Sequence, residues 1–134
     1  MTREILNSYL ATKARLEVNK EKLRELRGRT VQSPRLDTEG GKTLSGINVT
    51  EEKYIHAFEE REMLERMIKA DKETLSRIEQ YIERIKDSVT RFIFERHVFD
   101  GERFWKIAMS LGGGHSGESV KIRFYRYINS HPYG

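Results

Sequence analysis

Lys121, Arg123 and Arg126 fall in one short stretch that Ser116 opens and Val120, Phe124, Tyr127 and Ile128 punctuate. The apolar steps of four, three and one are those of a helix with one inward face. The residues left facing outward are Gly117, Glu118, Lys121, Ile122, Tyr125 and Arg126, with Arg123 at the border. Exposed ammonium and guanidinium groups on a helix can neutralise phosphates, and a helix is what a DNA major groove admits. In that setting Lys121 would bond guanine edges or phosphates. Glu118 would accept from a cytosine amino group, and Ile122 would touch a thymine methyl. Arg123, Arg126 and the upstream Arg103 suit phosphate contacts, as does His115 beside the helix start. The alternative is an ordinary wet helix surface with no ligand.

A helix can meet a groove only if its neighbours hold it. Glu102–Leu111 reads as a preceding helix with Phe104, Ile107, Ala108 and Leu111 inward. Ala108 stands four before Gly112, and the run Gly112–Gly114 then gives a turn. That pairing of small residue and glycine is what two closely crossing helices need. Ser116 is the N-cap of the last helix, which runs to Asn129, with Pro132 beyond its end. Asp87 or Ser88 opens a helix carrying the cluster Phe92, Ile93, Val98 and Phe99, and Asp100-Gly101 marks a turn. Three short helices around one small core result. Trp105 is expected to pack over that core, with a partner contact as its second reading.

Upstream, residues 2–28 follow a helical pattern through Ile5, Tyr9, Leu16, Leu23 and Leu26, with Thr12 and Asn19 as polar interruptions and Gly28 as a stop. Residues 29–49 lose the pattern at Ser33-Pro34, Gly40-Gly41 and Gly46 and read as a flexible loop. Thr50 is an N-cap candidate, followed by Glu51 and Glu52. A heptad run then extends through Tyr54, Ala57, Arg61, Leu64, Ile68, Asp71, Leu75, Ile78, Ile82, Ile85, Val89 and Phe92. A seam so narrow must meet another helix. Three arrangements satisfy it: residues 2–28 folded back antiparallel, a second copy of the chain, or both. A dimer paired along Leu64, Ile68, Leu75, Ile78, Ile82 and Ile85 would suit two DNA half-sites. The expected fold is all-α: a long helical hairpin or coiled coil (1–87) followed by a three-helix, helix-turn-helix domain (88–134).

The net charge of +4 is unevenly spread over the 134 residues. Residues 1–50 and 88–134 are basic, and 51–87 are acidic. Basic ends fit a polyanion partner. With no cysteine there is neither a disulfide framework nor a thiolate metal site. His56, His97, His115 and His131 stand at no metal-ligand spacing, so no metal and no other cofactor is expected. No carboxylate pair sits in a cleft-like context, so catalysis is not expected either. Gly41-Lys42-Thr43 mimics the end of a P-loop without its first glycine, since Leu36 stands there. No apolar run is long enough for a membrane span, and a cytoplasmic setting is expected.

Residues 87–129 resemble the region-four DNA-binding module of bacterial sigma factors. The resemblance rests on Phe99-Asp100-Gly101, on Phe104-Trp105-Lys106-Ile107-Ala108, on the glycine turn, and on Ser119-Val120 followed by Arg123. In overall plan the chain is similar to phage- and prophage-encoded late-gene activators of the ArpU and RinA type. The resemblance implies a regulator in a bacterial host cell that binds promoter DNA, with host RNA polymerase as a further partner. One departure is visible: Gly112 to Val120 spans eight residues where the family has six, so the turn is longer. Two other readings stay open. One is a small phage packaging subunit that binds DNA as a ring, and the other is a helical adaptor that binds only protein.

Overall fold

Apolar residues at three- and four-residue steps give six α-helices and no strand among the described residues, so the chain is all-α. The structure is a computed structural model. It describes the backbone of residues 1–40 and 44–133 and the side chains of 1–28 and 54–133. The helices are α1 (Arg3–Asn7), α2 (Tyr9–Gly40), α3 (Leu44–Glu83), α4 (Ser88–Phe94), α5 (Phe104–Leu111) and α6 (Gly117–Ser130). A π-helical turn, Glu95–Phe99, continues α4.

Several expected boundaries move, each for a local reason. The helix expected over 2–28 is parted at Ser8, whose hydroxyl donates to the Ile5 carbonyl at 2.7 Å and competes with the helical ladder. Leu6, three residues before Tyr9 on the same face, is fully buried, and Ile5, expected inward, is exposed. Gly28 does not end a helix. It lies inside α2 with no positive φ, so the left-handed stop is not formed. Where backbone is described in the expected loop 29–49, it is helical up to Gly40 and again from Leu44. Local glycine and proline content weighs little against helices already nucleated on both sides. Residues 41–43, with the P-loop mimic, lie outside the described residues, as do the side chains of Thr50, Glu51 and Glu52.

The chain forms two compact units: residues 1–14 with 73–134, and residues 15–72. These units do not part at 87/88, since the first turns of α2 and the last turns of α3 pack with the short helices, Tyr9 against Phe99 and Tyr81 against Phe94. In the unit of residues 15–72, Leu16, Leu23 and Leu26 of α2 and Leu64 and Ile68 of α3 are buried. The pairing is antiparallel. Arg15 holds Asp71 through two hydrogen bonds of 3.0 and 2.7 Å, and Arg27 meets Glu65 at 3.3 Å. Asp71, which breaks the apolar seam, is buried and answered by that guanidinium. Asn19 is buried on the same seam with its side-chain amide nitrogen unpartnered.

In the other unit Leu6, Tyr9, Leu75, Ile78, Ile82 and Ile85 are buried. The Tyr9 hydroxyl donates to Glu79 at 3.0 Å, again fixing an antiparallel pairing. Every residue of the expected oligomer seam is therefore covered within one chain. Residues of α1 and α2 folded back antiparallel, the first of the three arrangements, cover these positions within the chain. The seam itself does not continue to Phe92. Asp87, extended at φ −71° and ψ 119°, caps a new helix, so Thr90, Ile93 and Phe94 face inward while Val89 and Phe92 are half-buried.

Candidate nucleic-acid interface

The α5–turn–α6 pair rests on an aromatic core that only partly follows from the expected inward residues. Phe94, absent from the expected cluster, is fully buried, with its ring centroid 4.4 Å from that of Phe124. His97 stacks on Phe104 at 4.2 Å and donates from Nδ1 to the Glu102 carbonyl at 2.9 Å. The carbonyl can only accept, which sets the tautomer. Tyr81 packs edge-on against Tyr127, and its hydroxyl donates to the His131 carbonyl at 2.7 Å, tying down the end of α6. Burial, and then the nearby Tyr127, push the Tyr81 phenol up to about 12. Ile107, Ala108, Val120 and Ile128 complete the core, while Phe104, Leu111 and Tyr127 are half-buried.

The turn is built from glycines because its backbone needs them. Gly112 adopts φ +64° and ψ −156°, a region closed to residues with a Cβ. Gly113 and Gly114 also have positive φ. Ser116 then starts α6. Its Oγ accepts from the Ser119 amide at 3.1 Å, and the Ser119 Oγ accepts from the Ser116 amide at 2.9 Å. This reciprocal capping box is made of neutral side chains. The close approach of α5 and α6 comes at Gly117. A Cβ built there would lie 3.1 Å from the Trp105 Cα.

Apart from Arg123, the expected interface residues divide into three groups. Ser116, Glu118, Lys121, Ile122 and Arg126 are exposed along the leading turns and outer face of α6. An open trough of about 430 Å³ runs along that face, lined by Glu118, Lys121, Ile122, Tyr125, Arg126 and Asn129, among others. His115, Gly117 and Tyr125 are half-buried, and Gly117 faces the α5 backbone, not outward as expected. Arg103 is exposed as the residue just before α5.

Arg123 is the residue whose role changes most. Its Nη2 donates to Asp87 at 2.8 Å and its Nε to the Thr90 hydroxyl at 3.1 Å. The guanidinium expected at a phosphate is occupied in pinning α6 to the start of α4. Hydrogen bonds from the Thr90 hydroxyl and amide, reinforced by Arg123, hold the Asp87 carboxyl below its ordinary range. Trp105 also departs from expectation: it is 57% exposed and does not cover the core. A further cation was invisible in the linear pattern. The Arg3 guanidinium of α1 lies 5.4 Å from the Tyr125 ring centroid.

Among the described residues no helix is long and apolar enough to cross a membrane, and no three His, Cys, Asp or Glu side chains group as metal ligands would. The chain matches no family model, no curated protein and no solved structure.

Proposed function

We propose that the chain binds double-stranded DNA through a helix-turn-helix formed by α5 and α6, and that it regulates transcription. The observation that carries this reading is the outer face of α6: Glu118, Lys121, Ile122 and Arg126 are exposed along it, its start is capped by serine side chains, and Lys121 and Arg126 have no ion pair among the described residues. A buried outer face would leave no way into a groove. Lys121 and Arg126 neutralise phosphates or reach base edges, Glu118 and Ile122 read bases, and Arg123 holds the angle of α6. Arg3, against Tyr125, comes from the other end of the chain and is paired with Glu4 at 3.5 Å. The phage or prophage setting and a contact with host RNA polymerase rest on the resemblance of residues 87–129 to sigma region four. With the heptad seam covered inside the chain, one helix-turn-helix on one half-site is the simplest binding unit.

Electrophoretic mobility shift with pooled duplex fragments, across a series of salt concentrations, tests this. The wild type shifts duplexes at low salt. The Lys121→Ala, Arg126→Ala double variant loses about two units of the slope of log affinity against log salt if both residues touch phosphates. An unshifted duplex at low salt overturns DNA binding, and an unchanged slope overturns the assigned face.

A further inference from the structure

Trp105, the only tryptophan of the chain, is 57% exposed in the first turn of α5. Its neighbourhood is fixed by Gly117: a Cβ built on that glycine would lie 3.1 Å from the Trp105 Cα, 3.2 Å from its amide nitrogen and 3.3 Å from its Cβ. The first turns of α5 and α6 thus touch, and the indole leaves its helix at the rim of the end of α6 assigned to DNA. Two of its neighbours in sequence, Arg103 and Lys106, are cationic. Both are exposed, α5 contains no acidic residue, and the nearby Glu102 is engaged by Arg96 at 3.3 Å. An indole has an apolar face and a single N–H that only donates. Flanked in sequence by two exposed cations that have no ion pair among the described residues, it suits a partner that offers anionic acceptors beside apolar rings. A sugar–phosphate backbone has that composition, whereas an acidic protein surface supplies the charge without the regular apolar rings.

We infer that Trp105 is a DNA-backbone contact of this protein, an assignment that rests on the DNA-binding reading of α6. Its Nε1–H donates to a phosphate oxygen and its ring lies against deoxyribose, while Arg103 and Lys106 neutralise phosphates of the same strand. The first turn of α5 then grips the strand at the groove edge while α6 enters the groove. Such a contact fixes register and orientation without reading sequence.

The test uses the full chain and a mixed-sequence duplex pool at low salt, reading mobility shift and acrylamide quenching of the single tryptophan in parallel. Bound duplex should shield Trp105 and reduce its quenching. Trp105→Ala should bind roughly tenfold more weakly at an unchanged melting temperature, the size expected for losing a hydrogen bond to a charged acceptor. Trp105→Phe should recover part of that loss by keeping a ring. If the wild type shifts the duplex while the quenching of Trp105 stays that of the free protein, this assignment falls and the α6 reading survives. If the wild type shifts no duplex, both fall. A Trp105→Ala variant with wild-type affinity also overturns the assignment, and it would leave the exposed indole to a protein partner.

Discussion

Asp87 joins a helix start to the helix assigned to DNA with a single carboxylate. It accepts from the Thr90 amide at 3.0 Å, from the Thr90 hydroxyl at 2.6 Å and from Arg123 at 2.8 Å. The first two bonds cap α4, and the third anchors α6. Because these donors hold the carboxyl below its ordinary value of 3.8, the folded state resists its protonation. The stability that results is fully present above that value and is lost as pH falls through it towards the lower folded value. Asp87→Asn keeps an oxygen for the cap but removes the charge. At neutral pH the variant should melt a few degrees below the wild type, and the gap should close as the pH approaches 3 in thermal melts read by circular dichroism. An equal gap at both pH values would mean that the charge of Asp87 contributes nothing. Arg123→Ala should behave the same way at neutral pH, lowering the melting temperature and leaving the salt dependence of DNA binding almost unchanged.

At the scale of elements, the legible parts of the chain were those with local signals. Ser116 caps α6, glycines make the turn, and the heptad positions from Leu64 to Ile85 are buried. The missed parts depend on geometry that spacing does not encode. Asp87 resets the helical phase and brings Phe94 inward, in place of Phe92. Trp105 is exposed because α6 meets α5 through its backbone at Gly117, which leaves the indole uncovered. Arg3 reaches Tyr125 only through tertiary folding. Gly28 is the sharpest case, since its two readings give opposite signs. As a left-handed helix stop it would resist alanine. As an exposed position inside α2, with nothing within 4 Å of a built Cβ, it should accept one with benefit. Gly28→Ala is expected to stabilise by about 0.5–1 kcal/mol, seen as a higher urea midpoint with an unchanged slope. A lower midpoint would restore the helix stop.

For the whole molecule, the heptad positions are shared between two compact units. Ile68 belongs to residues 15–72, and Ile78 to the unit that contains α5 and α6. Both are buried, Ile78 completely and Ile68 to within 8%. A carboxylate at either position lacks a partner and destabilises by several kcal/mol. The consequences for the aromatic core should differ. Ile78→Asp strikes the unit that holds Phe94, Phe124 and Tyr127, so the near-ultraviolet circular dichroism of those rings should collapse, and DNA binding with it. Ile68→Asp strikes only the pairing anchored by Arg15–Asp71 and Arg27–Glu65. Helical content should fall while the near-ultraviolet spectrum and the mobility shift persist. Parallel loss of the near-ultraviolet signal in both variants would show that the two units fold as one cooperative body. The region needed for DNA binding would then extend through the whole α2–α3 pairing and not stop at residues 14 and 73.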